Sequence, residues 1–366
     1  MSDIVSITLG YELAAAGEPQ LRNPFFEVLG AVRQEGSIAG AARRLGWSYR
    51  HLWGYLKEQE TRHGRSLILW DKGRAARLSA FAEKLLWAET RIRARLAPQI
   101  ENLAAEIGRE LTVAFDDAAP IATCVASHDL ALPRLRALCE AADGVLFDLR
   151  FAGSLEALAA LRAQRCLFAG IHLPCSRPEL ARRGSALHRA FAPRLRLGRE
   201  KLIQVGRRTQ GLMVPTGNPR RVHSIGQLRR LRFVNRAVGT GTRALLDELL
   251  RAGGVEPGSV PGYDRIESTH LAVAAAVASG QADVGFGIQA AAVEMGVDFV
   301  PLVVEDYFLV CDRATLDGPA ARSVISVLAS AAWREAVSTL PGYDAHDAGR
   351  VRSLRRTLPW YASDPA

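Results

Sequence analysis

The chain has 366 residues, 48% of them hydrophobic, and 47 Lys and Arg outnumber 38 Asp and Glu to give a formal net charge of +9. That length supports two or three domains with sizeable cores and excludes a disordered or low-complexity chain. The opening MSDIVSITLGYELAAAGEP carries acidic groups and no basic stretch before an apolar core, so neither a signal peptide nor a membrane span is expected, and the protein is read as cytoplasmic.

Asn23 and Pro24 open a predicted helix through Phe26, Leu29 and Val32. Ser37 then caps a short helix, Ile38 to Leu45, whose Ala39, Ala41 and Ala42 permit close packing, and Gly46 suits a turn. Ser48 caps a second helix that presents Tyr49, Arg50, His51 and, further along, Lys57, while Leu52, Tyr55 and Leu56 turn inward. This is the pattern of a helix-turn-helix whose second helix meets base edges and phosphates of duplex DNA. Charge supports it: between Arg43 and Arg77 nine Lys or Arg face only Glu58, Glu60 and Asp71. Ser66 to Trp70 and Ala76 to Leu78 enclose Asp71-Lys72-Gly73-Arg74, predicting a hairpin with a basic tip in which Lys72, Arg74 and Arg77 contact phosphate. Ser37 and Ser48 complete the candidate DNA-facing set.

From Ser79 to about Ile107, Leu85, Leu86, Ile92, Leu96, Ile100 and Leu103 recur at helical spacing, with Pro98 expected to kink or divide the helix. Such a stripe needs a partner, and a second copy of the chain is the expected one, giving a homodimer or a tetramer. The run GSIAGAARRLGWSYRHLWGYLKEQE, the hairpin after it and LSAFAEKLLWAE together resemble the DNA-binding domain of molybdate-responsive ModE-type regulators, which is related to that of LysR-type regulators, over roughly residues 20 to 105. The resemblance implies a winged helix-turn-helix. The small molybdate-binding barrels that follow it in ModE-type proteins are not seen here.

Beyond residue 118 short β-like runs alternate with helices, as in an α/β domain. Ile121 to Ala126 ends in Ser127-His128-Asp129, VLFDLRFA ends in Gly153-Ser154, and CLFAGIHLP places His172 at the end of a third strand. Polar residues at carboxyl ends of strands mark the ligand side of an open α/β sheet. A second set follows: a strand ending at Asn235-Arg236, the loop Gly239-Thr240-Gly241-Thr242 and a helix opening near Arg243 make an anion seat from turned amides, hydroxyls and a helix N-terminus. Thr269 or Ser268 caps a further helix with His270 in its first turn, Gly285 and Gly287 line a loop, and Arg207, Gln210 and Asn218 lie where the chain crosses between lobes. Cys124, Cys139, Cys166, Cys175 and Cys311 lack C-x-x-C spacing and read as reduced buried thiols. With no zincin, Walker or nucleophile-elbow motif either, no metal, cofactor or catalytic residue is expected.

The pieces ASHDLAL, AGIHLP, QGLMVPTGNP, FVNRAVGTGTRALLDELL, STHLAVAAAVASGQADVGFG and DFVPL resemble the type 2 periplasmic binding protein fold in the version fused to helix-turn-helix regulators, over about residues 119 to 345. Arg236 to Thr242 also resembles the oxyanion loop of phosphate- and tungstate-binding proteins, with threonine for the usual serine at Thr240. The expectation is therefore an α+β multidomain protein: a winged helix-turn-helix in residues 1–78, a linker and dimerisation helix in 79–118, and a two-lobed α/β effector domain in 119–366. Lobe I takes about 119–206 and 301–366, and lobe II about 207–300. The implied activity is a DNA-binding regulator sensing a small anion, whether molybdate, tungstate, a molybdenum-cofactor-related compound or a carboxylate such as formate. Its site draws on Ser127, His128, Asp129, Ser154, His172, Arg207, Asn235, Arg236, Gly239, Thr240, Gly241, Thr242, Arg243, Thr269 and His270. Two rival readings use the same cleft: an enzyme or cofactor-handling protein of molybdenum-cofactor metabolism, with His128, Asp129 and His270 as acid and base groups, and a transport binding protein.

Overall fold

The computed structural model describes residues 12–13, 21–22, 24–69, 76–115, 120–143 and 145–361. The chain forms two compact units, one within residues 7–93 and the other within 94–366, and the division falls inside one long helix.

In the first unit β1 (Glu12–Leu13) and β2 (Leu21–Arg22) pair antiparallel. Three helices follow, α1 (Phe25–Glu35), α2 (Ile38–Leu45) and α3 (Tyr49–His63). Their ends obey local chemistry. The Ser37 hydroxyl accepts the Gly40 amide at 3.0 Å and the Ser48 hydroxyl accepts the His51 amide at 3.2 Å, while Gly46 takes the left-handed backbone, φ 68°, that closes α2. Pro24 is the cap residue of α1 rather than its first helical residue. Asn23 lies outside the described residues. Phe25, Leu29, Val32, Ala41, Leu52 and Leu56 meet in one core with Leu67 and Leu78. The strands β3 (Ile68–Leu69) and β4 (Arg77–Leu78) pair antiparallel, and Lys72 and Arg74 between them lie outside the described residues.

Helix α4 (Ala80–Phe115) runs eight residues past the expected end, and Pro98 does not divide it. Proline cannot donate to the carbonyl four residues back, which here is Ala94. That carbonyl instead accepts the Thr269 hydroxyl at 2.9 Å, so tertiary packing supplies the missing bond.

The second unit is built on a single ten-stranded sheet. Its strands and helices alternate as β5 (Cys124–Ala126), α5 (Leu132–Asp143), β6 (Leu149–Phe151), α6 (Ser154–Arg162), β7 (Phe168–Pro174), α7 (Ala186–Phe191), β8 (Glu200–Val214), β9 (Phe233–Arg236), α8 (Gly241–Ala252), β10 (Ile266–Glu267), α9 (His270–Ala278), β11 (Val284–Ile288), α10 (Gln289–Glu294), β12 (Asp298–Asp312), α11 (Pro319–Ala329), α12 (Ala331–Ser338), β13 (Tyr343–Asp344) and β14 (Val351–Ser353). The order β10-β9-β11-β8-β12-β7-β5-β6 puts parallel triplets at both ends, joined by the antiparallel fifteen-residue strands β8 and β12. The expected lobe boundaries fall inside these two strands. Gly285 and Gly287 lie within β11, not in a loop: a Cβ at Gly287 would stand 2.5 Å from Met213 Cε and 2.9 Å from His270 Nδ1, so only a bare backbone fits under α9.

Candidate functional site

The first turns of α6, α8 and α9 carry Ser154, Gly241, Thr242 and His270, each helix presenting its amide-rich, partially positive end. Around these ends stand His128 after β5, His172 on β7, Arg208 and Gln210 on β8, Arg236 at the end of β9, and Glu305 and Tyr307 on β12, all buried. Ser127 and Ser154 hydroxyls lie 3.0 Å apart, and Gln210 donates to both Thr242 Oγ1 and Glu305 Oε2 at 2.9 Å. Arg208 reaches Asp129 at 2.7 Å and Glu305 at 3.1 Å, and Tyr343 adds a 2.7 Å bond to Asp129. Burial opposes the charge of Arg208, but Glu305 and Asp129 outweigh it and hold its pKa above the ordinary arginine value.

Arg236 is treated differently. It is 2% exposed, its only described side-chain bond is a 3.4 Å contact from Nη1 to the Glu267 carbonyl, and its Nε is buried without a partner among the described residues. Burial, and then the neighbouring Arg208, lower its pKa to about 9. The Glu267 carboxylate cannot serve it, being held by two bonds from Arg95. Burial and Arg236 bring His128 down to about 4, burial and Arg208 lower His172, and burial with Arg236, Arg208 and the other two imidazoles lowers His270. The three rings are therefore neutral near pH 7. His128 Nδ1, His172 Nε2 and both nitrogens of His270 are buried without hydrogen-bond partners among the described residues, His172 Nε2 standing 3.9 Å from Asp129. An unneutralised guanidinium, neutral imidazoles, hydroxyls and helix N-termini form a set that donates hydrogen bonds to a negatively charged oxygen.

Several expected site residues are engaged by neighbours or placed differently from expectation. Arg207 is one residue out of register: it is a third exposed and pairs with Asp306, because successive strand residues face opposite ways and it is Arg208 that turns inward. Asn235 bonds the Tyr263 carbonyl and its neighbour's amide. Thr269 caps α9 and holds Ala94, and Asp129 is committed to Arg208, Tyr343 and the Ala131 amide. Thr240 caps α8, and Arg243 lies over the Tyr263 ring and pairs with Asp247. With Gly239 and Arg189 they line a separate cavity of about 190 Å³. His172 sits inside β7, not at its end, stacked on Tyr307 with centroids 3.9 Å apart. Arg208, Glu305, Tyr307 and Tyr343 were missed. Polar pairs two apart inside apolar strands, Arg208 with Gln210 and Glu305 with Tyr307, were the available signal.

In the first unit Tyr49, Arg50 and His51 are exposed on the opening turn of α3, and Arg77 is exposed on β4. Tyr49 stacks on Trp53, and Lys57 lies 5.1 Å over Trp53 while bonding Glu60 at 2.7 Å.

Residues 135–329, more than half of the chain, match the family described as the PBP superfamily domain, and the chain belongs to that superfamily. The uncharacterized protein YvgK of Bacillus subtilis (strain 168) is 34% identical over 205 residues, 55% of this chain and 64% of that relative's length. An uncharacterized protein in the ferredoxin 2Fe-2S gene 5′ region of Clostridium pasteurianum is 34% identical over 108 residues, 29% of this chain and 96% of its own. Among solved structures, CbnR, a LysR family transcriptional regulator, is similar with 16% identity and a TM-score of 0.40, over 83% of this chain and 98% of that one. No described helix is long and apolar enough to cross a membrane.

Proposed function

We propose that the chain is a one-component transcriptional regulator in which the first unit reads duplex DNA and the second binds a small anion that biases that reading. The observation that carries the proposal is Arg236, a buried guanidinium with no carboxylate partner among the described residues, beside the neutral imidazoles of His128 and His270. Burying an unpaired charge is costly, and an anion seated against Arg236, His128, His270 and the Ser127–Ser154 pair removes that cost. Molybdate, tungstate, a molybdenum-cofactor-related compound and a carboxylate such as formate all fit this donor chemistry. The capped α2–turn–α3 geometry and the exposed Tyr49, Arg50 and His51 support the DNA-reading half. Leu103 and Ile107, 55% and 41% exposed on α4, support a homodimer.

Calorimetry with molybdate, tungstate, phosphate and formate, followed by gel-shift titration of upstream DNA with and without the anion that binds, tests the reading. Arg50→Ala is expected to cost about 1–3 kcal/mol of operator affinity, and Lys72→Ala to flatten the salt slope by about one unit. Failure of the full chain to bind either any of these anions or any upstream fragment would sink it.

A further inference from the structure

From Ala94 to Arg109, α4 is bonded to both ends of the large sheet. On one side Arg95 grips Glu267 through two bonds of 2.6 and 2.5 Å, and the Thr269 hydroxyl holds the Ala94 carbonyl left open by Pro98. On the other, the Asn102 amide exchanges bonds of 2.6 and 3.0 Å with the Phe151 backbone, and Arg109 meets Asp148 at 2.8 Å. Glu267 and Thr269 lead into His270, and Phe151 leads into Ser154, so the helix is fastened to the two segments that deliver the cluster.

Glu101 lies between these fastenings. Its Oε2 is buried without a partner among the described residues, and its Oε1 is 3.9 Å from His128 Nε2. The other nitrogen of that ring, Nδ1, is also buried without a partner. The His128 imidazole thus stands between α4 and the interior, with Arg236, Asp129 and His270 facing it inside and Glu101 outside, where Arg136 is near Glu101.

We infer that Glu101 is a residue of the effector site supplied by the linking helix, and that α4 registers occupancy through the His128–Glu101 pair. The inference rests on the anion reading above. An anion beside His128 favours its cationic form, the proton coming from solvent, and the Nε2–H then donates to the Glu101 carboxylate. Ligand charge on one face of the ring becomes a hydrogen bond to α4 on the other. Neither a neutral nor a cationic ligand draws that proton in.

The test is calorimetry of the full chain at pH 7.5 with sodium molybdate, tungstate, phosphate and formate, each in two buffers of different ionisation enthalpy so that proton uptake is counted. Glu106→Gln, an exposed carboxylate on the same helix, is the control. The wild type and the control are expected to take up a measurable fraction of a proton on binding, whereas Glu101→Gln binds about fivefold more weakly, as for loss of one charge-assisted bond, and takes up none. His128→Asn must also abolish the uptake, which keeps the idea testable if Glu101→Gln folds poorly. Equal affinity and proton count in the wild type and Glu101→Gln, or retained uptake in His128→Asn, overturns the inference and leaves the anion reading standing. Absence of binding by the wild type removes both.

Discussion

Arg208 and Arg236 are buried in the same interior, at 1% and 2% exposure, yet one is bonded to two carboxylates and the other to none among the described residues. Arg208 bridges Asp129 and Glu305, whereas Arg236 meets only a carbonyl. A buried ion pair that is complete belongs to the architecture. An incomplete one is open to a partner from outside, and under the proposed function the same residue type serves stability at Arg208 and ligand recognition at Arg236.

The largest expected effect breaks the complete pair. Arg208→Met leaves two buried carboxylates without their cation and should cost about 3–5 kcal/mol in urea unfolding, and a loss under about 1 kcal/mol would show that the pair does not act as argued. Next comes pH. His128 titrates near 6.5 when unfolded and near 4 when folded, so its contribution is complete above pH 6.5 and lost as the pH falls towards 4. That amounts to about 3 kcal/mol from this ring alone, and His172 and His270 act in the same direction. Unfolding curves at pH 7.5 and 5.0 read it directly, and an acid-insensitive protein would contradict the neutral imidazoles.

Arg236→Gln then separates the two arginines. It should leave unliganded stability unchanged or raised while weakening anion binding by about 2–3 kcal/mol, the worth of a hydrogen bond to a charged group. A large loss of unliganded stability would place Arg236 in the same structural role as Arg208. The smallest effect sharpens the contrast by one residue: Arg207→Ala removes a partly exposed pair with Asp306 and should change stability by less than about 1 kcal/mol.

The local features were legible because they rest on short-range chemistry. Ser37, Gly46 and Ser48 cap and turn as their types demand, and His270 opens α9 behind Thr269 as the capping pattern implies. The inward face of β8 was hard to read, since the strand is buried on both sides over most of its length and only the Arg208–Gln210 spacing separates Arg208 from Arg207. The carboxylate partners were hidden for another reason. Glu305 lies 97 positions from Arg208, and only the β8–β12 register, with irregularities at Pro301–Val303 and Tyr307–Phe308 on either side of the pair, brings them together. Thr269 was read as a ligand group because nothing local says that Pro98, far away in sequence, frees a carbonyl for it.

The sheet order carries a consequence for biosynthesis. β12 is the last strand of the main sheet path to be made, yet it lies between β7 and β8, two strands that leave the ribosome about a hundred residues earlier. Until residue 312 has emerged, β7 and β8 each present an open edge, and Arg208 waits without Glu305. These two edges therefore stay open while about a hundred further residues are made, the interval in which mispairing with one another or with other nascent chains is expected.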